Sequence, residues 1–128
     1  LGSEDTKNKT QSTVPLTIQS KAIIDSLNGL NQEYLLSTGR VGDKPINGFS
    51  KAKRRIDKLS GITDWRWHDI RRTVSTNLAK LGYDMPLIKR IINHKDTGVT
   101  AIYNRYTYLE EKRSALQKWA DKLDEITR

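Results

Sequence analysis

The chain has 128 residues, with 23 Lys and Arg against 15 Asp and Glu, and its formal net charge is therefore +8. This length suits one domain, or part of one, with a modest hydrophobic core. The positive charge favours a polyanionic partner, most commonly nucleic acid. The sequence has no cysteine, which excludes disulfides, thiolate metal sites and cysteine nucleophiles. Because no signal peptide opens the chain and no apolar run approaches the roughly 20 residues of a membrane span, we expect a cytoplasmic protein with no membrane partner.

The N-terminal residues are polar and lead into Val14-Pro15-Leu16. This composition predicts the remnant of a β-hairpin with an exposed loop, or a disordered tail, over residues 1–16. From Thr17, a candidate N-cap, apolar residues at helical spacing predict a helix that stops at Gly29. The glycine-rich stretch that follows is predicted to be a loop, with residues 34–36 as a candidate for a short buried strand.

Apolar spacing predicts five more helices along the rest of the chain. They cover about residues 49–59, 68–81, 84–93, 99–105 and 108–126. Gly61 and Gly82 are expected to end the first two of these helices, and Asp84 is a good N-cap ahead of Pro86. The predicted fold class is therefore mainly α, with a small β-hairpin or sheet remnant on the N-terminal side.

The last predicted helix carries a stripe of apolar residues. Leu109, Leu116 and Leu123 repeat every seven positions, and Trp119 and Ile126 fill the intermediate positions. This spacing predicts that the five side chains pack together on one face of the helix.

A set of polar residues in the second half of the chain indicates chemistry. His68 and Arg71 lie three positions apart in the string His-Asp-Ile-Arg-Arg-Thr, so they share one face of a helix. His94 follows 26 positions after His68, and Tyr103 follows nine positions after His94. This order and spacing resemble the catalytic domain of tyrosine recombinases, in particular the integrases of bacteriophages and genomic islands.

The residue types suit the reaction that the resemblance implies. Cleavage of a DNA phosphodiester without a metal needs a nucleophile, positive donors around the transition state and an acid for the leaving 5′ oxygen. The resemblance implies Tyr103 as the nucleophile, Arg71 as the phosphate clamp, and His68 and His94 as donors or proton shuttles. In the family a hairpin lysine protonates the leaving oxygen. Lys7 is the preferred candidate for it.

Each of these assignments has a competitor. Tyr106 and Tyr108 are alternative nucleophiles, but the spacing from His94 selects Tyr103, and the other two are expected to pack or to touch the DNA backbone. Lys9 is a near-equal neighbour of Lys7. Ahead of His94, an asparagine stands where family members commonly have glycine, and asparagine also tolerates left-handed backbone geometry.

The predicted helix over residues 49–59 is the most basic element of the chain. Its Lys51, Lys53, Arg54 and Arg55 are expected to follow the phosphate backbone of DNA, although an ordinary solvated face explains them nearly as well. Arg72 is expected to have a structural or backbone-phosphate role. The two histidines and the carboxylates near them have no ligand-like grouping, so no metal is expected. No glycine-rich phosphate loop occurs, so neither a nucleotide cofactor nor a small-molecule ligand is expected.

The family uses a further arginine upstream of the hairpin, whereas the first arginine here is Arg40. The resemblance therefore implies that residues 1–128 are the C-terminal portion of a truncated catalytic domain of the integrase fold. Its parts would be the hairpin remnant over 1–16, a helical catalytic core over 17–106 and a C-terminal helix or tail over 107–128. Because loss of one transition-state donor costs about a hundred- to a thousandfold in rate, we expect little or no cleavage by these residues alone.

The leading function is site-specific DNA integration and recombination by cleavage and rejoining through a 3′-phosphotyrosyl intermediate. The expected partners are double-stranded attachment sites, with a tetramer on DNA in the full-length protein and an association with the nucleoid. In such a tetramer the last helix would pack on a neighbouring subunit instead of its own core. The alternatives are topoisomerase-like nicking and closing, a non-catalytic DNA-binding remnant of an integrase, and an unrelated basic helical protein.

Overall fold

A computed structural model of the chain describes residues 13–27, 34, 36, 46–94 and 107–127. These residues form five helices: α1 (Ile18–Leu27), α2 (Phe49–Ser60), α3 (Trp67–Lys80), α4 (Met85–Ile91) and α5 (Leu109–Thr127). No β-strand occurs in these ranges, so the described part of the chain is mainly α, as the sequence predicts. The predicted hairpin falls mostly on residues before Thr13, outside the described ranges, and so does the predicted helix over 99–105.

The chain divides into two compact units. The first comprises residues 1–19 and 68–128, and the second comprises residues 20–67. The sequence-based division at residue 106 into a helical core and a tail stays a prediction. No helix in the described ranges is both long and apolar enough to cross a membrane.

The hydrophobic core of the first unit is built from three helices. α3 contributes Leu78, α4 contributes three residues, and α5 contributes Ala115 and Trp119. Leu78 and Ile88 are fully buried, and burial of such a side chain stabilises the fold by about 1.5–3 kcal/mol. Because α3 carries His68 and Arg71 and α4 ends just before His94, this core fixes the elements of the candidate site.

The connection from α3 to α4 is closed by main-chain hydrogen bonds. The Gly82 N–H donates to the Ala79 carbonyl (3.0 Å) and the Tyr83 N–H donates to the Leu78 carbonyl (3.1 Å). Gly82 has a φ of 89°, which places it in the left-handed region that glycine adopts without steric cost. This pair of bonds is the Schellman motif, and it ends α3 where the sequence predicts.

The N-terminus of α4 also follows the prediction. The Asp84 carboxylate accepts a hydrogen bond from the Leu87 N–H (3.1 Å), and Pro86 stands where no helical N–H is needed. Asp84 is therefore a side-chain N-cap, which typically stabilises a helix by about 1 kcal/mol.

The stripe predicted for the last helix is wrong at its C-terminal end. Leu116 and Trp119 pack on the core as expected, but Leu123 is 41% exposed and Ile126 is 65% exposed. The buried face of α5 also includes Lys112, which lies at helical spacing from the buried residues Ala115 and Trp119. The heptad spacing continues along the helix after the core has ended, so the pattern overstates the buried length.

A polar network joins the start of α1 to α5 within the first unit. The Gln117 side chain accepts from the Ile18 N–H (2.9 Å) and donates to Gln19 Oε1 (2.9 Å) and Asp121 Oδ1 (2.7 Å). Gln19 also donates to Asp121 Oδ1 (3.0 Å). The hydrogen bonds from Gln19 and Gln117 lower the pKa of Asp121. Residues 99 positions apart are thus joined mainly by side-chain amides.

The second unit is organised around α2, which ends at Gly61 as predicted. In the preceding segment, Tyr34 and Leu36 lie in bends with 37% and 55% exposure, so the prediction of a buried strand is wrong at these two positions. The Leu36 carbonyl accepts a hydrogen bond from the Ile46 N–H (2.8 Å). This hydrogen bond joins the two described residues on either side of positions 37–45.

Candidate active site

Helix α3 provides one wall of a cavity. His68, Arg71 and Ser75 lie at positions i, i+3 and i+7, and Arg72 and Thr76 lie one position further along, so all five share one side of the helix. They line a cavity of about 280 Å³. This cavity belongs to the first unit.

The end of α4 provides the other wall, through Ile92 and His94. The structure therefore brings His68, Arg71 and His94 together around one space, although the two histidines are 26 positions apart in sequence. Both histidines are exposed and Arg71 is half-buried. The imidazoles and the guanidinium are thus accessible to a ligand that enters from solvent.

The backbone at Asn93 determines where His94 lies. The Asn93 N–H donates to the Arg90 carbonyl (3.4 Å), and the His94 N–H donates to the Lys89 carbonyl (2.8 Å). Asn93 has a φ of 49°, so this is a second Schellman motif with asparagine at the left-handed position. The tolerance of asparagine for this geometry, predicted from sequence, is confirmed.

The two arginines of the motif differ in their ionic partners. Arg72 Nη1 lies 3.4 Å from Asp69 Oδ1 in a pair with exposed side chains, and such pairs contribute little to stability. Arg71 forms no ion pair with a carboxylate in the part of the chain that the structure describes. Its planar fork is therefore available to an anion, and a phosphate would accept two hydrogen bonds from it.

Three residues of the cavity were not identified from sequence. Ser75, Thr76 and Ile92 line it together with the predicted residues. The two hydroxyl residues follow Arg71 and Arg72 by four positions. This helical spacing is the signal in the sequence from which they could have been identified. Their hydroxyl groups add hydrogen-bond donors and acceptors to a cavity whose other polar lining groups are two guanidiniums and two imidazoles.

The remaining predicted catalytic residues, Tyr103 and Lys7, lie outside the described residues, as do their competitors Tyr106 and Lys9. Tyr108 is described, and it has a packing role. Its ring packs against the core and lies 4.5 Å from the Arg90 guanidinium carbon. This contact agrees with the expectation that Tyr108 packs.

The basic residues of α2 fall into two groups. Lys51, Arg54, Arg55 and Lys58 are exposed, and their spacing of three and four positions places them on one side of the helix. None of the four forms an ion pair with a carboxylate among the residues that the structure describes. We call these four residues the basic face of α2. Their charges are available to an external polyanion.

Lys53 forms the second group, because its side chain contacts neighbouring residues of the second unit. Its Nζ lies 2.7 Å from the Asp57 carboxylate, and the side chain is only 24% exposed. It also donates to the Thr63 carbonyl (3.1 Å) and lies 5.0 Å from the centroid of the Trp65 ring. Lys53 was grouped with the DNA-contacting residues from sequence, whereas its contacts here are local. A DNA contact by Lys53 stays a prediction that would have to compete with three partners.

Comparison with protein families places this chain in a known class. Residues 3–110 match the phage integrase family, and the chain belongs to this family. The matched range includes the whole cavity and the basic face of α2.

Two curated relatives support the assignment. The chain is 31% identical to the prophage integrase IntZ of Escherichia coli (strain K12), over 98% of this chain and 32% of that protein. It is 30% identical to the prophage integrase IntA of the same strain, over 85% of this chain and 27% of that protein. The chain thus spans about a third of the length of these relatives. No solved structure matches it significantly.

Proposed function

We propose that this chain provides part of the catalytic domain of a prophage-type integrase, which recombines DNA at specific sites by breaking and rejoining strands. The observation that carries the proposal is the cavity lined by His68, Arg71 and His94. A guanidinium and two imidazoles around one cavity suit a phosphodiester that passes through a negatively charged, five-coordinate transition state. Membership of the phage integrase family and the names of its relatives support the same reaction.

In the proposed cleavage step the phenolic oxygen of Tyr103 attacks the scissile phosphorus. The bond from phosphorus to the 5′ oxygen breaks, and a 3′-phosphotyrosyl link forms. Arg71 binds two non-bridging oxygens as charge develops on them, and His68 and His94 donate to oxygen or move the phenolic proton. Lys7 gives its proton to the leaving 5′ oxygen.

Rejoining reverses these steps with a different strand. A 5′ hydroxyl from the partner DNA attacks the phosphotyrosyl phosphorus, the new phosphodiester forms, and the Tyr103 phenol leaves with a proton returned to it. The energy of the original bond is kept in the covalent link, so strand exchange needs no nucleotide cofactor. Attack by the original strand would give nicking and closing instead.

The rest of the DNA contact is proposed for the basic face of α2 and for Arg72. Phosphate contacts by these residues would fix the register of the protein on the duplex without reading sequence. Attachment sites are the proposed partners, with a tetramer on two duplexes and a location with the nucleoid.

The test is the covalent adduct on a nicked suicide duplex, whose attachment-site sequence is first mapped from the excised element. The protein is used at its natural full length, as wild type and as Tyr103→Phe, Tyr106→Phe and Arg71→Gln. We expect an adduct from the wild type and from Tyr106→Phe and none from Tyr103→Phe. Arg71→Gln should form it about a hundred- to a thousandfold more slowly. An adduct lost in Tyr106→Phe and kept in Tyr103→Phe would refute the assigned nucleophile.

The same reaction separates the alternative functions. Products joined between two duplexes indicate recombination, whereas relaxation of a supercoiled plasmid without exchange indicates nicking and closing. Binding without any adduct identifies a non-catalytic DNA-binding protein.

A further inference from the structure

Ser75 occupies the middle of the cavity wall that α3 provides. At about 100° per residue, the helix places Ser75 about 20° from His68 and about 40° from Arg71 around its axis. Thr76 lies about 80° from His68 on the same scale, towards the edge of the wall. All four side chains line the cavity. Because Ser75 and Arg71 are one helical turn apart, with Cβ atoms about 5–6 Å from each other, a phosphate bound by Arg71 would lie beside the Ser75 hydroxyl.

The hydroxyl of Ser75 is available to such a ligand. A polar side chain inside a helix commonly bonds to a carbonyl of the preceding turn, and Asn77 does so through its amide, which donates to the Thr73 carbonyl (2.8 Å). Ser75 is half-buried, yet it forms no hydrogen bond with any residue that the structure describes. Its donor therefore serves neither the helix nor its described neighbours.

We infer that Ser75 is a further catalytic residue, whose hydroxyl donates a hydrogen bond to a non-bridging oxygen of the scissile phosphate. This inference rests on the proposed function, in which Arg71 binds the same oxygens. The proton stays on Oγ, and the bond strengthens as negative charge develops on the phosphate oxygen in the transition state. A neutral donor adds this stabilisation without placing another positive charge beside the guanidinium.

The first experiment measures single-turnover adduct formation on the nicked suicide duplex, with the protein at its natural full length. Ser75→Ala removes the donor and should form adduct about ten- to a hundredfold more slowly. Ser75→Thr keeps a hydroxyl and should recover most of this loss. The matched control is Thr73→Ala, which removes an exposed hydroxyl of the same helix that does not line the cavity, and it should keep the wild-type rate.

Phosphorothioate duplexes then identify the contacted oxygen. Each of the two diastereomers replaces one non-bridging oxygen of the scissile phosphate by sulfur, which is a weak hydrogen-bond acceptor. With sulfur at the contacted position, the rates of wild type and Ser75→Ala should converge. With sulfur at the other position, the ratio of the two rates should stay as it is on the oxygen duplex.

The outcomes separate a contact with phosphate from a structural role. Alanine has a higher helix propensity than serine, so the melting temperature of Ser75→Ala should not fall. A wild-type rate in Ser75→Ala would overturn the inference. So would a ratio of rates that is equal on the oxygen duplex and on both diastereomers, because a structural effect does not depend on which oxygen is replaced. Absence of an adduct in the wild type would instead refute the proposed function, and with it the role of Ser75.

Discussion

The indole Nε1 of Trp65 donates a 2.8 Å hydrogen bond to the carboxylate of Asp57, and this bond ties α2 to the segment that follows it. The same carboxylate pairs with Lys53. Trp65 in turn meets Trp67 edge to face, with ring centroids 5.2 Å apart, and Trp67 meets Phe49 at 6.2 Å. A single carboxylate thus satisfies both an indole N–H and an ammonium beside an aromatic cluster.

Removing this carboxylate should destabilise the second unit. Asp57→Ala leaves the Trp65 N–H without its acceptor and the Lys53 ammonium with only the Thr63 carbonyl, at a cost of about 1–3 kcal/mol. Hydrogen exchange of the α2 amides should accelerate accordingly, and tryptophan emission should shift to longer wavelength. The matched control is Asp64→Ala, which removes an exposed carboxylate and should leave both signals unchanged. Equal effects of the two variants would contradict the role of Asp57.

Lys51 and Lys53 of α2 should differ in how they affect DNA binding. Lys51 belongs to the basic face, so Lys51→Gln should reduce the slope of log affinity against log salt on a random duplex by about one. Lys53 is held by Asp57, so Lys53→Gln should leave the slope near wild type and lower the melting temperature instead. Fluorescence anisotropy across a salt series measures the slope. An equal loss of slope in both variants would show that Lys53 contacts phosphate.

The left-handed turn at Asn93 predicts a specific order of stability among its variants. Asn93→Gly removes the steric cost of a φ of 49° and should be neutral or slightly stabilising. Asn93→Val forces a β-branched side chain into this region at a cost of about 1–2 kcal/mol. Urea unfolding followed by far-UV circular dichroism gives the comparison. A valine variant as stable as the glycine variant would show that the turn relaxes without penalty.

Lys112 predicts a dependence of stability on pH. Burial, and to a lesser extent the charge of Arg90, lower the pKa of Lys112 in the folded protein. The unfolded chain therefore holds this proton more tightly, so the free energy of unfolding rises as pH increases from the lowered pKa towards the ordinary value of about 10.4. Lys112→Met removes this titration, and its stability relative to wild type should decline across the same window.

Urea unfolding at a series of alkaline pH values measures this difference. Lys118→Met is the control, because Lys118 is an exposed lysine of the same helix, and it should keep the wild-type profile. A stability difference between Lys112→Met and wild type that does not vary with pH would show that the surroundings of Lys112 do not lower its pKa.

The shape of the core predicts which leucines matter. Leu78 is fully buried, so Leu78→Ala should destabilise the first unit by about 2–5 kcal/mol. Leu123 is 41% exposed, so Leu123→Ala should cost less than about 1 kcal/mol. Thermal unfolding of the two variants measures both losses of stability. The heptad pattern, which predicts a buried Leu123, would instead give a large loss for Leu123→Ala as well.

The sequence was sufficient for much of the helical architecture because its stop signals are local. Gly61, Gly82 and Asp84 act through backbone geometry and capping within a few residues, so the helix ends they define are found close to the predicted positions. The approach of His94 to Arg71 was predicted only through a family resemblance. No periodicity indicates which turn of one helix faces the end of another.

What the sequence does not show has tertiary causes. Lys53 carries the same charge as Lys51, and only its contacts with Asp57, the Thr63 carbonyl and Trp65 distinguish the two lysines. Leu123 continues a heptad that is perfect in sequence, but the buried face of α5 ends at Ala120 and Leu123 is 41% exposed. Long-range packing of this kind is not encoded in the spacing of one helix.

The turn at Asn93 fixes the main chain at one wall of the cavity without using the side chain of His94. It is closed by peptide groups, so replacing the imidazole of His94 would change the chemistry of the cavity lining while the local main chain keeps its course. A single substitution at position 94 can therefore change one wall of the cavity without a compensating change in the turn that carries it.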